Sequence, residues 1–378
     1  MTTKEFNITG QWTGSTKGKN NGFVILNFEP RQSNVGQLIF WDSLPDNPRL
    51  YAKVTVHIEG STIEARLSDF NVYDKQLGLV RTDALMIKDP TDVHPTNGTF
   101  TGKFDDVYTI TGDWNTNGQT WGKAHLTKSM AEEEALHGEQ LSWKDFKEKI
   151  SIFRNRNKQM IYRGQAQAKH KLRTRFHRHG RLDIIEYLKT DVPQLCRQIN
   201  AYSAYQYDLF RKDEDHGSLL YLAQHHGYPT PLLDWSESPY VAAYFAFSEI
   251  PKNTTSGFVR IFAFDYEAWI NQTHILQVKS LAEPVPTITV LKLPAHNNSR
   301  AIPQQSISMY SNIDDIEIFV EFVQKQLSST TEPYLVRMDL AMSERDAVMR
   351  ELHDMGITAA SLFPGFDGIC SALRERWF

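Results

Sequence analysis

Cysteine is nearly absent from this chain: Cys196 and Cys370 are the only two among 378 residues. Two thiols so far apart build neither a disulfide framework nor a cysteine zinc site, and they fit a reducing compartment. Long apolar runs are missing as well. No stretch approaches the ~20 apolar residues that a membrane helix needs, and the opening residues hold no apolar core of a secretory leader. The expectation is a soluble, cytoplasmic chain with no membrane partner. Strong charge of one sign is also lacking: 41 Lys and Arg against 45 Asp and Glu leave a formal net charge of -4, which gives no chain-wide pull toward nucleic acid. What is present is apolar and aromatic content, 40% and 12%, enough for packed cores and against wholesale disorder. The length exceeds what one core supports, so two domains are expected.

The first third is written in strand grammar. Short apolar runs, Phe23-Val24-Ile25-Leu26, then Val54, Val56 and Ile58, then Ile63, Ala65 and Leu67, carry the period of half-buried strands. They are separated by hairpin-turn residues such as Asn20-Asn21-Gly22, Glu59-Gly60-Ser61 and Asn117-Gly118. An antiparallel β-barrel or sandwich over 1–128 is expected. Two phrases, Gly10-Gln11-Trp12 and Gly112-Asp113-Trp114, resemble those of avidin-like and lipocalin-like barrels, where a tryptophan plugs one end. The plainer reading of both tryptophans, as core aromatics, is preferred to a ligand-holding role.

Between Lys128 and Gln140 the grammar changes to the acidic, helix-prone Met130 to Leu136, which places a linker at 129–141. A second, mixed α+β domain is expected over 142–378, opening with a helix capped by Ser142. Met160 to Gln165 reads as a strand ending in Arg163 and Gly164. A buried arginine there calls for an anion, and a glycine permits a turn or a close ligand. Leu219 to His225 reads as a helix broken at Gly227 and Pro229. After it come the polar cluster Asp234-Trp235-Ser236 and a helix with Pro239 in its first turn and Ser236 or Ser238 as cap. Near the end, Leu335 to Asp339 reads as a strand, Ser343 to Met355 as a helix closed by Gly356, and Phe363 to Gly368 as a packed loop.

Four phrases in order, Tyr162-Arg163-Gly164-Gln165, the run Ala223 to Ala246, Arg300 to Ser306 and Leu362 to Gly368, resemble the pattern of the FRG domain family. The sequence departs from that pattern at His226, where an aromatic is usual, at Pro231, where arginine is usual, and at Ser306 and Ser308, where glycine and phenylalanine are usual. The family's layout is similar to that of ADP-ribosyltransferases. That resemblance implies NAD as substrate and either transfer of ADP-ribose to a macromolecule or hydrolysis of NAD, chemistry that suits a toxin or phage-defence setting. His225-His226 and His177-x-His179 raise the question of a metal, but no carboxylate or cysteine completes either at a recognisable spacing, so no metal is expected.

Through the resemblance, Arg163 holds the phosphates or the adenosine-side ribose, Ser236 binds the nicotinamide-side ribose, and His226 or Trp235 stacks on a ring. Gln304 or Gln305 occupies the place of the usual glutamate. A carboxylate beside the developing cation is then expected from Asp234, Glu237, Glu317 or Glu321. Tyr162, Gly164, Gln165, Gln224, His225, Thr230 and Arg300 complete the expected ligand-binding set. Plainer roles stand beside these: Asp234 as a cap or an ion-pair partner of Arg163, Trp235 as core, and Ser236 as an N-cap. The run Arg173 to Arg181 reads either as a solvated surface or as a strip for phosphate or nucleic acid. Glutamine in place of glutamate favours a second function, a nucleotide or small-ligand module without turnover. An interaction scaffold is a third. On the enzyme reading the N-terminal domain would recognise a macromolecular target or trigger.

Overall fold

The computed structural model describes residues 6–32, 34–42, 49–74, 78–82, 94–156, 158–272, 281, 283–296, 298–327 and 332–377. Nine strands come first: β1 Gly10–Gly18, β2 Gly22–Phe28, β3 Val35–Asp42, β4 Leu50–Glu59, β5 Thr62–Asp74, β6 Gly78–Arg81, β7 Gly98–Phe104, β8 Thr109–Thr116 and β9 Trp121–Lys128. They pair in the order β4-β3-β2-β1-β9-β8-β7-β5, and β4 pairs back onto β5, so eight antiparallel strands close into a barrel with β6 added to the end of β5. Alternation sets the inside. Along β4, Ala52, Val54 and Val56 are buried while Lys53 and Thr55 are exposed, and β9 alternates likewise. Trp12 is fully buried with Phe104 edge-on at 5.8 Å, and its Nε1 donates to the Ile8 carbonyl oxygen at 2.7 Å, plugging one end.

The continuous run Phe23 to Leu26 departs from alternation because β2 is covered on both sides. Val24 faces the barrel interior, whereas Phe23 and Ile25 pack against the second half of the chain. Polar bonds lock the same wall. Gln11 Nε2 donates to the Asn312 carbonyl oxygen at 2.9 Å, and its Oε1 accepts from Asp314 N at 2.9 Å. Glu29 Oε1 accepts from Leu182 N at 2.8 Å, Asp183 N at 3.1 Å and Arg181 Nε at 3.2 Å.

The acidic segment after the barrel forms turns rather than a helix: Ala131 is buried and Glu132 pairs with Arg173. Its end is a strand, β10 Glu139–Leu141. There follow α1 Trp143–Asn155, β11 Met160–Gln165, α2 Arg175–Arg178, α3 Ile184–Asn200, α4 Asp213–His225, β12 Leu232–Ser236, α5 Pro239–Phe247, β13 Phe258–Asp265 and α6 Tyr266–Gln272. The chain ends with β14 Ile288–Leu291, β15 Ser306–Ser311, α7 Ile316–Leu327, β16 Leu335–Ala341, α8 Arg345–Asp354, α9 Ala359–Leu362 and α10 Phe366–Trp377. The second sheet has the order β10-β16-β13-β11-β12-β15-β14, antiparallel except for β10 with β16. Helices α1, α5 and α8 cover one face, and α6, α7 and the barrel wall cover the other.

Local chemistry explains the starts. Ser142 caps α1 with Asp145 in a reciprocal capping box, and Ser238, not Ser236, caps α5 in front of Pro239. Phe363 to Gly368 is not a loop throughout, since α10 begins at Phe366 after Gly365 turns at φ 112°. Among the described residues no helix is long and apolar enough to cross a membrane.

Candidate functional site

The adjacent ends of β11 and β12 make the site, because the order of the sheet sets Arg163 beside Asp234. Gly164 has a packing reason for its missing side chain: a Cβ there would lie 1.9 Å from the Ala242 carbonyl oxygen and 2.7 Å from Ala246 N, so α5 rests directly on β11. With Gly164 facing the helix, Arg163 projects from the other side of the strand and donates from Nη1 to the Asp234 carbonyl oxygen at 2.5 Å. It bonds the backbone of Asp234 and makes no ion pair with its carboxylate. Arg163 Nε is sealed from water with no partner. Burial lowers the guanidinium pKa, the nearby Asp234 charge offsets part of this, and Arg178 adds to the lowering.

A cavity of about 530 Å3 opens here, of a size usual for small-molecule sites. Tyr162, Arg163, Gly164, Gln165, Gln224, His225, Asp234, Trp235, Ser236, Arg300 and Gln304 all line it. The structure therefore brings together most of the residues expected from the four phrases. Burial pushes the Tyr162 hydroxyl up to about 12, so it stays a neutral phenol. Gln165 Nε2 donates to the His170 carbonyl oxygen at 3.0 Å, and His225 Nδ1 lies 3.0 Å from the Tyr221 carbonyl oxygen and 3.1 Å from Asn298 Nδ2.

Several expected residues have other duties. His226 is exposed at the end of α4 and outside the cavity, so it stacks on nothing there. Trp235 touches the cavity but is buried on the opposite side of β12 from Asp234 and packs on Phe264 at 6.0 Å, so its ring belongs to the core. Thr230 is fully buried and acts at second hand: its hydroxyl donates to Gln224 Oε1, and Gln224 Nε2 donates to Asp234 Oδ1 at 2.5 Å, which orients that carboxylate. Gln305 is exposed and its side chain lies outside the cavity. Its backbone, at φ 46°, accepts from Glu237 N at 2.9 Å. Gln304 Nε2 donates to the Leu362 carbonyl oxygen at 3.0 Å. The Ser236 hydroxyl donates to the Gln304 carbonyl oxygen at 2.8 Å and accepts from Ser238 N at 3.0 Å. Ser236 thus pins the end of β12 to the turn before β15.

The other carboxylates considered lie elsewhere. Glu317 and Glu321 pair with Arg337, and Glu237 lies 3.5 Å from Lys292. The cavity carries Asp234 and, at the end of α5, the exposed Glu249.

The basic run is only partly a surface strip. Arg173 pairs with Asp314 and Glu132, and Arg181 with Glu29 and Asp191, while Phe176 and His177 are buried. Arg178 alone of the run lines the cavity, and sequence reasoning did not single it out. Phe363, which the Arg300 guanidinium overlies at 5.5 Å, is a second missed wall residue. Arg163, Arg178 and Arg300 give the cavity three guanidinium groups, none ion-paired among the described residues. Such a set suits an anion with several oxygens.

Fold and site together define a closed antiparallel barrel docked on a mixed-sheet domain with an arginine-lined cleft. Residues 158–255, which contain β11, α2 to α5 and most of that cleft, match the model of the FRG domain, so the chain carries an FRG domain. No curated protein matches the chain. Among solved structures it is similar to a redesigned β-barrel, mFAP1, bound to DFHBI (14% identity, TM-score 0.22, 32% of this chain and 94% of that chain). It is also similar to Rv2717c from M. tuberculosis (14% identity, TM-score 0.20, 32% of this chain and 92% of that chain).

Proposed function

We propose that the cleft binds NAD through its phosphates and that the protein is an NAD-handling enzyme, an ADP-ribosyltransferase or an NAD glycohydrolase. One observation carries the reading: Arg163 is a buried cation with an unpartnered Nε and no carboxylate pair, beside two further unpaired arginines. An anion at that place recovers the solvation that burial removed, and a hydrogen bond between charged groups is worth roughly 1.5 to 3 kcal/mol.

Asp234 supplies the chemistry. Heterolysis of the nicotinamide-ribose bond sends the electron pair to the departing nicotinamide and leaves a cationic ribose carbon. A carboxylate held still by Gln224 and Thr230 stabilises that charge without reorganising. Water then completes hydrolysis, or a nucleophile of a macromolecular acceptor completes transfer, each losing its proton on attack.

A second reading, nucleotide binding without turnover, is favoured by the Ser236 hydroxyl and the Gln304 amide, both already engaged within the protein. One experiment separates them: calorimetry with NAD alongside nicotinamide release, on the wild type and Arg163→Ala. Release that vanishes with Arg163→Ala supports the enzyme, and tight binding without release supports the second reading. Neither binding nor release, by a wild type that is folded, refutes both.

A further inference from the structure

The barrel holds a cavity of its own, separate from the arginine-lined cleft. Its eight strands close around about 240 Å3 of space walled by aliphatic side chains, Val54, Ile63, Ala65 and Ile110 among them. Protein interiors are packed as densely as organic crystals, with few voids larger than a water molecule, so a space of this size forfeits dispersion contacts that a bound molecule would restore. Trp12 plugs the end near Phe104. The opposite end is polar: Asn20 Nδ2 donates to Asp42 Oδ2 at 2.9 Å, the hydroxyls of Thr116 and Thr120 lie 2.7 Å apart, and Trp114 lines the wall beside them. Trp114 Nε1 is buried there and makes no hydrogen bond. A buried donor left unmade is costly, and few native groups tolerate it without a ligand or water.

We propose that the barrel binds a neutral bicyclic molecule whose one hydrogen-bond acceptor meets Trp114 Nε1 once the indole, which rests against Gly122, turns toward the space. Size sets the ring count, since an apolar cavity of roughly 150 Å3 takes benzene and this one is about half as large again. Charge sets neutrality: an aliphatic wall disfavours any ion, the described lining holds no lysine or arginine to meet an anion, and its one carboxylate, Asp42, already accepts from Asn20, with His94 the remaining titratable group.

The test is a titration of the full chain with 2-naphthol, read by calorimetry and by the indole N–H signals in a two-dimensional NMR spectrum. Trp114→Phe identifies the Trp114 signal by its disappearance. Saturable one-to-one binding that moves that signal is expected. Trp114→Phe should weaken binding about fivefold to tenfold, and Ala65→Trp, which fills the space, should weaken it more than that. Naphthalene-2-carboxylate should bind far more weakly than 2-naphthol, and Arg163→Ala should bind 2-naphthol as the wild type does. Absence of saturation at millimolar 2-naphthol, binding that leaves the Trp114 signal unmoved, or equal binding of the carboxylate overturns the proposal.

Discussion

His177 and Asp183 make opposite demands on pH within one short stretch of chain. His177 is fully buried in α2, with Nδ1 2.7 Å from Thr174 Oγ1 and Nε2 unpartnered. Burial lowers its pKa from 6.5 to about 4, partly opposed by Asp314. Asp183 caps α3, accepting from Glu186 N at 3.1 Å, and takes the Tyr51 hydroxyl at 3.0 Å. Burial raises its pKa from 3.8 to about 6, with the Glu29 and Glu186 charges adding. The unfolded chain protonates its histidine near 6.5 while the folded chain resists until about 4. Stability from His177 is therefore present above 6.5 and lost as pH falls toward 4. Asp183 runs the other way. The folded chain takes the proton near 6 and the unfolded chain only near 3.8, so stability is present at low pH and lost as pH rises through 6.

Between about pH 7 and about pH 4.5 linkage makes each contribution about 2 kcal/mol, with opposite sign. The pair therefore nearly cancels in the wild type. His177→Gln should gain about 2 kcal/mol relative to the wild type over that fall in pH, and Asp183→Asn should lose about 2 kcal/mol relative to it. Urea unfolding at several pH values measures both differences, and titrating groups that do not interact with either residue cancel from them. Differences that stay constant across the range would refute the argument that burial controls these two groups.

Arg163→Ala should weaken NAD binding about tenfold to a hundredfold, measured by calorimetry. Asp234→Asn keeps the hydrogen bond from Gln224 possible but removes the charge; nicotinamide release should fall about 10²- to 10³-fold with little change in NAD affinity. Gly164→Ala forces α5 off β11 and should cost about 2 to 3 kcal/mol in urea unfolding. Glu29→Ala leaves two buried backbone N–H groups and part of Arg181 unmatched, and should cost about 3 kcal/mol. Proteolysis at the seam between barrel and second domain should accelerate with it.

Arg163 and Asp234 were legible because their neighbours are local: a strand with a glycine that a helix packs upon, and a short strand before a Ser-Pro helix start. Arg178 was not legible. Within the run from Arg173 to Arg181, what separates the arginine facing the cleft from those spent on ion pairs is the position of Glu29, Asp314 and Glu132, all distant in sequence. The barrel was legible from its alternation, and the exception at Phe23 to Leu26 was the sign of a second buried face whose cover no local pattern discloses. Thr230 shows the reverse case. Its place in a recognisable phrase suggested a ligand contact, whereas its hydroxyl orients Gln224 from beneath the cleft.

Those engagements bear on what the cleft can do. A hydroxyl that donates to Gln304 and accepts from Ser238 has one free lone pair and no free proton, so Ser236 can accept a hydrogen bond from a ribose but cannot donate one. With Gln304 held by Leu362 and Gln305 turned to solvent, the negative charge for a cationic transition state has to come from Asp234 or from Glu249. Glu249 is exposed, where water screens it. Asp234 is fixed by a chain of two partly buried hydrogen bonds and lies beside the arginine that would hold the phosphates. If the cleft turns NAD over, the burden that other active sites place on a glutamate falls on this aspartate, and the Thr230 to Gln224 chain is what keeps its carboxylate aimed.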